Sequence, residues 1–162
     1  MHFIVLIDTS YSMIPNIDKL IFSVNSFVTT LINRPETYIS IVCFSKNMKY
    51  ICKGLEIGQV GILNKSHFTG FSSTALYDSV CTILTEWQNS PGKHKLFIIT
   101  DGDDNDSRIY TKEQTDVLCK SAISSGNWDI VHCHTEISEL SVSKSVVYEV
   151  EDISNIMNNL VI

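Results

Sequence analysis

Apolar and polar positions follow two different periodicities along this chain of 162 residues. Short, continuous apolar runs, such as residues 3–7 and 96–99, are typical of strands that are buried on both faces of a sheet. Between these runs, apolar residues recur at steps of three and four, which predicts amphipathic helices. The first helical series extends from Ile14 to Leu31, with Pro15 near its first turn. The pattern therefore predicts strands and helices in alternation.

Strands and helices of this alternating kind predict an α/β fold with a doubly wound, mostly parallel sheet and helices on both faces. Strands are predicted at residues 3–7, 38–44, 49–52, 95–100, 129–134 and 145–150, and helices at 14–31, 76–87, 111–125, 136–144 and 153–160, with a short helical turn at 60–63. The strand at 49–52 returns through a tight turn, so we expect it to be an antiparallel edge strand. The length, without a repeat or a linker, predicts a single domain over residues 1–162.

Composition and charge narrow the possible functions. Apolar residues make up 44% of the chain and charged residues 19%, which is typical of a globular domain. The net charge is −6 and the basic residues are scattered, so we do not expect nucleic acid as a partner. Because no apolar segment is long enough to span a bilayer and the N-terminus does not resemble a signal peptide, we expect no membrane insertion. Five cysteines at irregular spacing predict reduced thiols and a cytoplasmic, intracellular location.

Three oxygen-rich loops are predicted to meet at one edge of the sheet. The first is Asp8-Thr9-Ser10-Tyr11-Ser12 after the first strand, the second is the acidic loop that begins at Asp101, and the third is Ser72-Ser73-Thr74. In doubly wound sheets the ligand binds beyond the carboxyl ends of the strands. These loops offer carboxylates and hydroxyls but no His or Cys, and such oxygen ligands suit hard cations. We therefore expect Mg²⁺, with Mn²⁺ or Ca²⁺ as substitutes.

The same loops resemble those of the von Willebrand factor A domain. The segment from Asp8 to Ser12 is similar to the Asp-x-Ser-x-Ser motif of that family's metal-ion-dependent adhesion site (MIDAS). Thr74, within Ser-Ser-Thr-Ala-Leu-Tyr-Asp, stands where the family has its metal-binding threonine. Asp101, within Ile-Ile-Thr-Asp-Gly, stands where it has its final aspartate. The motifs occur in the family order, and the resemblance, which extends to integrin I domains and to intracellular members, covers essentially the whole chain.

This resemblance implies a metal held by five residues, namely Asp8, Ser10, Ser12, Thr74 and Asp101. The serine hydroxyls would ligate the metal directly, the threonine would do so when a ligand is bound, and the two aspartates would act mostly through water. The resemblance also implies a binding module and not an enzyme, whose partner protein supplies an Asp or Glu carboxylate to the metal. We further expect Tyr11, the loop at 68–73 and the loop at 103–108 to surround that contact, with Tyr11 and Phe71 as aromatic anchors. Serines at 72 and 73 depart from the glycines common in the family, which predicts reduced movement of the Thr74 loop or an ordinary backbone conformation there.

Two other functions remain open from the sequence. The first is a Mg²⁺-dependent phosphohydrolase of the haloacid-dehalogenase type with Asp8 as nucleophile, although Ser10 then stands where that class needs a general acid and base. The second is a metal-free scaffold of the same fold. His132 and His134 are interpreted as packing or surface residues because no third zinc ligand is evident. Asp103, Asp104 and Asp106 are interpreted as a solvated turn, with a second cation site or a partner contact as the alternative.

Overall fold

The computed structural model describes residues 1–134, 140–147 and 153–159 of the chain. In these residues one six-stranded sheet is formed by β1 (His2–Asp8), β2 (Tyr38–Phe44), β3 (Met48–Glu56), β4 (His94–Ile99), β5 (Trp128–His134) and β6 (Lys144–Val147). The order across the sheet is β3-β2-β1-β4-β5-β6. Only the β2–β3 pair among these strands is antiparallel. The predicted sheet class and its antiparallel edge strand are therefore confirmed.

Helices cover both faces of this sheet. The α-helices of the described residues are α1 (Ile17–Leu31), α2 (Leu76–Trp87), α3 (Lys112–Ser124) and α4 (Ile153–Asn159). Side chains of β1 alternate between the faces: Phe3, Val5 and Ile7 join the hydrophobic cluster of α1 and α4. Ile4 and Leu6 join the cluster of α2 and α3. Because every residue of β1 is buried, its central residues 3–7 form a continuous apolar run in the sequence.

The position of β1 in the sheet determines where a ligand can bind. After β1 the chain forms β2 and β3 on one side, and it then crosses to the other side to form β4. The order in which strands are added to the sheet therefore reverses between β1 and β4. Doubly wound sheets bind ligands at such a reversal, beyond the carboxyl ends of the strands. Asp8 ends β1, and Thr100 directly follows β4. No helix of the described residues has both the length and the apolar character needed to cross a membrane.

Several predicted boundaries were wrong. Strand β3 has nine residues where four were predicted, because its half-buried edge position leaves it with a mixed polar pattern. The first predicted helix begins as a 3₁₀ helix, Tyr11–Asn16, before α1. No helical turn occurs at 60–63, whereas short 3₁₀ turns occur at Ile57–Gln59 and Lys65–His67.

The C-terminal predictions are only partly covered by the structure. Of the helix predicted at 136–144, residues 136–139 lie outside the described residues, 140–143 are not helical, and Lys144 begins β6. The described part of that prediction is therefore wrong. The last strand is described as far as Val147, so 148–150 of the predicted strand lie outside, as does residue 160 of the last helix.

A buried pair of histidines lies at the amino-terminal edge of the sheet. The Nδ1 atoms of His2 and His94 are 3.3 Å apart, and Nε2 of His2 lies 2.9 Å from Oγ of Ser40. The Trp87 ring packs edge-on against His2, and the Trp128 ring stacks on His94. Burial, with a smaller contribution from the neighbouring His94, lowers the pKa of His2 to about 4. Burial also lowers the pKa of His94. Both rings are therefore neutral in the folded protein at pH 7.

We expect the free energy of unfolding to decrease as the pH falls from about 6.5 to about 4. In this range the unfolded chain protonates His2, whereas the folded protein keeps it neutral, so acid favours the state that binds more protons. Between pH 7 and pH 5 this residue alone accounts for roughly 2 kcal/mol. Urea denaturation of the parent and of His2→Gln at both pH values measures the effect. The variant should lose less stability on acidification, and equal losses in the two proteins would contradict the assignment.

Candidate metal centre

Asp8 places a buried carboxylate at the end of β1. Its side chain has no exposure to solvent. Oδ1 accepts the backbone N–H of Ser10 at 2.7 Å, and Oδ2 accepts the hydroxyl of Thr100 at 2.6 Å. Burial raises the pKa of this carboxyl, the bonds from Thr100 and Ser10 oppose the increase, and the charge of Asp101 adds to it. A cation bound nearby would favour the ionised form of this buried group.

Three further side chains connect Asp8 to the surface. Oγ of Ser10 lies 3.0 Å from Oγ of Ser12, and the Ser12 hydroxyl donates to Oδ1 of Asp101 at 2.8 Å. Ser10 is buried, Asp101 is half-buried and Ser12 is exposed. Four of the five predicted ligand residues therefore belong to one hydrogen-bonded group that begins inside the protein and ends at solvent.

The loop that carries Thr74, the fifth predicted residue, is tied to both of the other loops. Ser10 and Ser72 form a short parallel bridge, in which the N–H of Tyr11 donates to the carbonyl of Ser72 at 3.1 Å. On the other side, the N–H of Thr74 donates to Oδ1 of Asn105 at 2.8 Å. Thr74 is buried. The three oxygen-rich loops thus meet at the carboxyl edge of the sheet, as the sequence predicts.

The spacing and type of these oxygens fit a small, hard cation. When about six oxygens surround Mg²⁺ at about 2.1 Å, neighbouring ligands lie roughly 3.0 Å apart. The separations of 3.0 Å between Ser10 and Ser12 and of 2.8 Å between Ser12 and Asp101 agree with such a spacing. Within the described residues no group of three or more His, Cys, Asp or Glu side chains could hold a metal. A metal at these loops would therefore depend on hydroxyl ligands, and its binding stays a prediction.

Four supporting residues were not assigned from the sequence: Ser73, Thr100, Asn105 and Asp106. Thr100 is adjacent to Asp101 in the chain, and a hydroxyl residue at the end of a buried strand is a signal that could have been used. Its hydroxyl contacts Asp8, which is 92 positions away. Asn105 gives no comparable signal, because its role depends on a contact with a loop 31 positions earlier.

Side chains of the acidic loop accept hydrogen bonds from other segments of the protein, so the loop is not simply a solvated turn. Oδ1 of Asp104 accepts the N–H of Tyr77 at 3.2 Å, in the first turn of α2. Oδ2 of Asp106 accepts the hydroxyl of Ser73 at 2.7 Å. Asp103 is exposed, so the interpretation as a solvated turn holds for that residue and is wrong for the other two. The reason is tertiary, because the start of α2 and the serine loop supply donors that the local sequence does not show.

His132 and His134 are packing residues of β5. Both are buried, and their ring centres are 4.9 Å apart. Nε2 of His134 lies 2.6 Å from Oγ of Ser145 on β6. Burial lowers the pKa of His132 to about 3. Their burial agrees with the interpretation of the two histidines as packing residues.

The chain superposes on solved structures of von Willebrand factor A domains over almost its whole length. A von Willebrand factor type A protein from Catenulispora acidiphila matches 98% of the chain with a TM-score of 0.66 and 12% identity. The ArnB paralog VWA2 from Sulfolobus acidocaldarius matches 99% with a TM-score of 0.66 and 20% identity. Proximal thread matrix protein 1 from the mussel byssus, with a zinc-occupied MIDAS motif, matches 98% with a TM-score of 0.67 and 14% identity.

The chain therefore has the von Willebrand factor A fold, as the sequence motifs indicate. At such low identity the similarity concerns the fold. The chain spans 41% of the length of the Catenulispora protein and 44% of each of the other two. No protein-family model matches the sequence, and no curated protein matches it.

We expect Thr100→Val to lower the free energy of unfolding of the metal-free protein by about 1–3 kcal/mol, because the buried Asp8 carboxylate loses a donor. Valine keeps the shape of the side chain, so the change isolates the hydroxyl. Thr82→Val is the matched control, since this exposed hydroxyl only bonds a carbonyl of its own helix, and its effect should be within about 0.5 kcal/mol. Urea denaturation measures both, and equal effects would show that the Thr100–Asp8 bond does not stabilise the protein.

Proposed function

We propose that this domain binds a divalent cation through Asp8, Ser10, Ser12, Thr74 and Asp101, and that this cation binds an acidic side chain of a partner protein. The main support is the hydrogen-bonded group of oxygens that extends from buried Asp8 to exposed Ser12. The mussel protein with a zinc-occupied MIDAS motif is an example of a metal in this fold. We expect Mg²⁺ for this chain because all its donors are hard oxygens, with Mn²⁺ or Ca²⁺ as substitutes.

The proposed ligands include neutral hydroxyls and charged carboxylates, which would bind the cation in different ways. The hydroxyls of Ser10 and Ser12 would contact the cation, and Thr74 would do so when a partner is bound. Asp8 and Asp101 would act mainly through water, and Thr100 holds Asp8 in place. A cation that is bound chiefly by neutral hydroxyls keeps a strong attraction for one more anionic oxygen. An Asp or Glu carboxylate supplied by a partner meets that requirement.

The surface around the exposed end of the site offers an aromatic contact. Tyr11 lies between the two serines in the chain, and 68% of its surface is exposed. Its backbone is held by the hydrogen bond to Ser72. Phe71 is half-buried against the hydrophobic core, so it offers less surface to a partner. We therefore favour Tyr11 as the aromatic residue that packs against the partner, since tyrosine is common among residues that dominate interface energies.

We further propose that the domain binds its partner protein and does not catalyse a reaction. In the phosphohydrolase alternative a second aspartate acts as general acid and base two positions after the nucleophile. Here that position holds Ser10, and a serine hydroxyl cannot act as a general acid and base at neutral pH. Ser10 is moreover bonded to Ser12, within the group that we assign to the metal.

We also propose an intracellular location. All five cysteines are free thiols, and four of them are buried. Burial raises the pKa of Cys43 and of Cys133 to about 12, so these thiols stay protonated and unreactive. Reduced thiols of this kind are typical of proteins in the reducing compartments of cells.

We expect the EDTA-stripped protein to bind Mg²⁺ and Mn²⁺ saturably at one site, and calorimetric titration measures this. Ser12→Ala should weaken binding at least about tenfold, because it removes a ligand at an exposed position where the fold is not affected. Asp8→Ala should abolish binding, with circular dichroism to verify folding because that side chain is buried. Asp18→Ala is the control, since this exposed carboxylate pairs with Lys65 away from the three loops.

Two results would contradict this function. A folded parent that binds neither metal would leave the metal-free scaffold as the explanation. Turnover of p-nitrophenyl phosphate by the Mg²⁺-loaded parent, lost in Asp8→Asn, would support the phosphohydrolase instead.

We expect capture of the partner protein to require the metal and the exposed tyrosine. A pull-down from cell extract with the Mg²⁺-loaded parent should retain a protein that EDTA releases and that Ser12→Ala does not retain. Tyr11→Ala should keep the metal affinity of the parent but retain less of this protein, because it changes the rim and not the ligands. Tyr38→Ala, at an exposed tyrosine that begins β2 at the opposite edge of the sheet, is the matched control. Capture that is indifferent to EDTA would show that partner contacts lie elsewhere.

A further inference from the structure

The backbone of Thr74 is held on both sides by the loop that follows β4. Its N–H donates to Oδ1 of Asn105 at 2.8 Å. Its carbonyl accepts the N–H of Asn105 at 2.9 Å and the N–H of Asp106 at 3.0 Å. Three hydrogen bonds thus fix one residue of the candidate metal centre to a loop that supplies another, Asp101. None of these bonds uses the Thr74 hydroxyl, which they leave for a ligand role.

The two serines before Thr74 are held by one side-chain contact and one backbone contact. The hydroxyl of Ser73 donates to Oδ2 of Asp106 at 2.7 Å, which a glycine could not do, whereas Ser72 pairs with Ser10 through the backbone alone. Glu36 is the only non-glycine residue in the described part of the chain with a positive φ. Ser72 and Ser73 therefore have an ordinary backbone conformation, which was one of the two expectations from the sequence. Their loop does not depend on the freedom of glycine.

The holding loop is itself fixed to α2, whose first turn follows Thr74. Asp78 of α2 accepts the backbone N–H groups of Arg108, Ile109 and Tyr110 at 2.8, 3.0 and 2.8 Å. The Arg108 guanidinium in turn pairs with Asp106 at 3.0 Å. The contacts from Asn105 and Asp106 thus come from a segment that is anchored at several points, which allows it to act as a rigid support.

We propose that Asn105 and Asp106 are positioning residues that hold the Thr74 loop in a single arrangement, so that the metal centre is formed before metal or partner binds. The expected effect on metal affinity rests on the function proposed above. The fixed position of the Thr74 loop does not depend on that function. Asn105 is not a proposed ligand, and its influence on the metal passes through the position of Thr74. Groups that orient metal ligands in this way commonly change metal affinity by about 10- to 100-fold when they are removed.

Asn105→Ala tests the proposal in the full-length chain, with Mn²⁺ as the probe. Asn105 is an exposed residue outside the hydrophobic core, so truncation of its side chain leaves the core intact. We expect calorimetry to show Mn²⁺ binding about 10- to 100-fold weaker than in the parent. In the metal-free protein, hydrogen exchange of the Thr74 amide should become faster, because its acceptor is removed. Asn105→Asp keeps an acceptor oxygen and should restore the protection of that amide.

Asn25→Ala is a matched control elsewhere in the fold. The Asn25 side chain on α1 also holds a loop backbone, since it donates to the carbonyl of Leu63 at 3.0 Å and accepts its N–H at 2.9 Å. Loss of the Asn25 side-chain amide should lower the free energy of unfolding, because both hydrogen bonds to Leu63 are removed. It should leave Mn²⁺ affinity and exchange at Thr74 unchanged, because Leu63 is not part of the candidate centre.

The outcomes separate this proposal from the metal function. If the parent binds Mn²⁺ and Asn105→Ala binds it equally well, the positioning role is overturned. If the parent binds no metal, the proposed function fails, and exchange at Thr74 alone decides whether the loop is held. Faster exchange in Asn105→Ala but not in Asn25→Ala supports the fixed loop, and unchanged exchange in both variants overturns it.

Discussion

The carboxylate of Asp8 is buried at the end of the central strand, and much of the carboxyl edge of the sheet is arranged around it. A buried carboxylate is costly unless donors or a cation compensate for the lost water. Here one donor comes from Ser10 on the next turn of the chain, and the other comes from Thr100 at the end of the neighbouring strand. The Asp8–Thr100 bond therefore joins the ends of β1 and β4 at the point where the strand order reverses. Ser12 and Asp101 continue from there to solvent.

The two edges of the sheet have opposite chemistry. At the amino edge, His2 and His94 are neutral and packed among tryptophan rings, which closes that end of the core. At the carboxyl edge, the side chains are carboxylates and hydroxyls that bond one another across three loops. The second edge is the one that offers a hard cation several oxygen ligands among the described residues. The fold thus separates an end that contributes to stability from an end that is suited to binding.

The contacts of the Thr74 loop suggest how this site differs from one built on glycines. A glycine-rich loop can change conformation at little cost, whereas Ser73 and Asn105 each add a hydrogen bond that movement would break. Formation of the site in advance would lower the entropy lost on binding, at the expense of a change in shape that could act as a signal.

The sequence by itself determined the α/β class, most of the core elements and the convergence of the three loops. These features depend on periodicity and on residues that lie at strand ends, which are local properties of the chain. The tertiary structure decided the length of β3, the 3₁₀ start before α1, and the roles of Thr100, Asn105 and Asp106. The roles of Thr100, Asn105 and Asp106 depend on partners far away in the chain, such as the 92 positions between Asp8 and Thr100. An edge strand shows a mixed pattern, and a polar loop residue shows none, because what each contacts is set only when distant segments pack together.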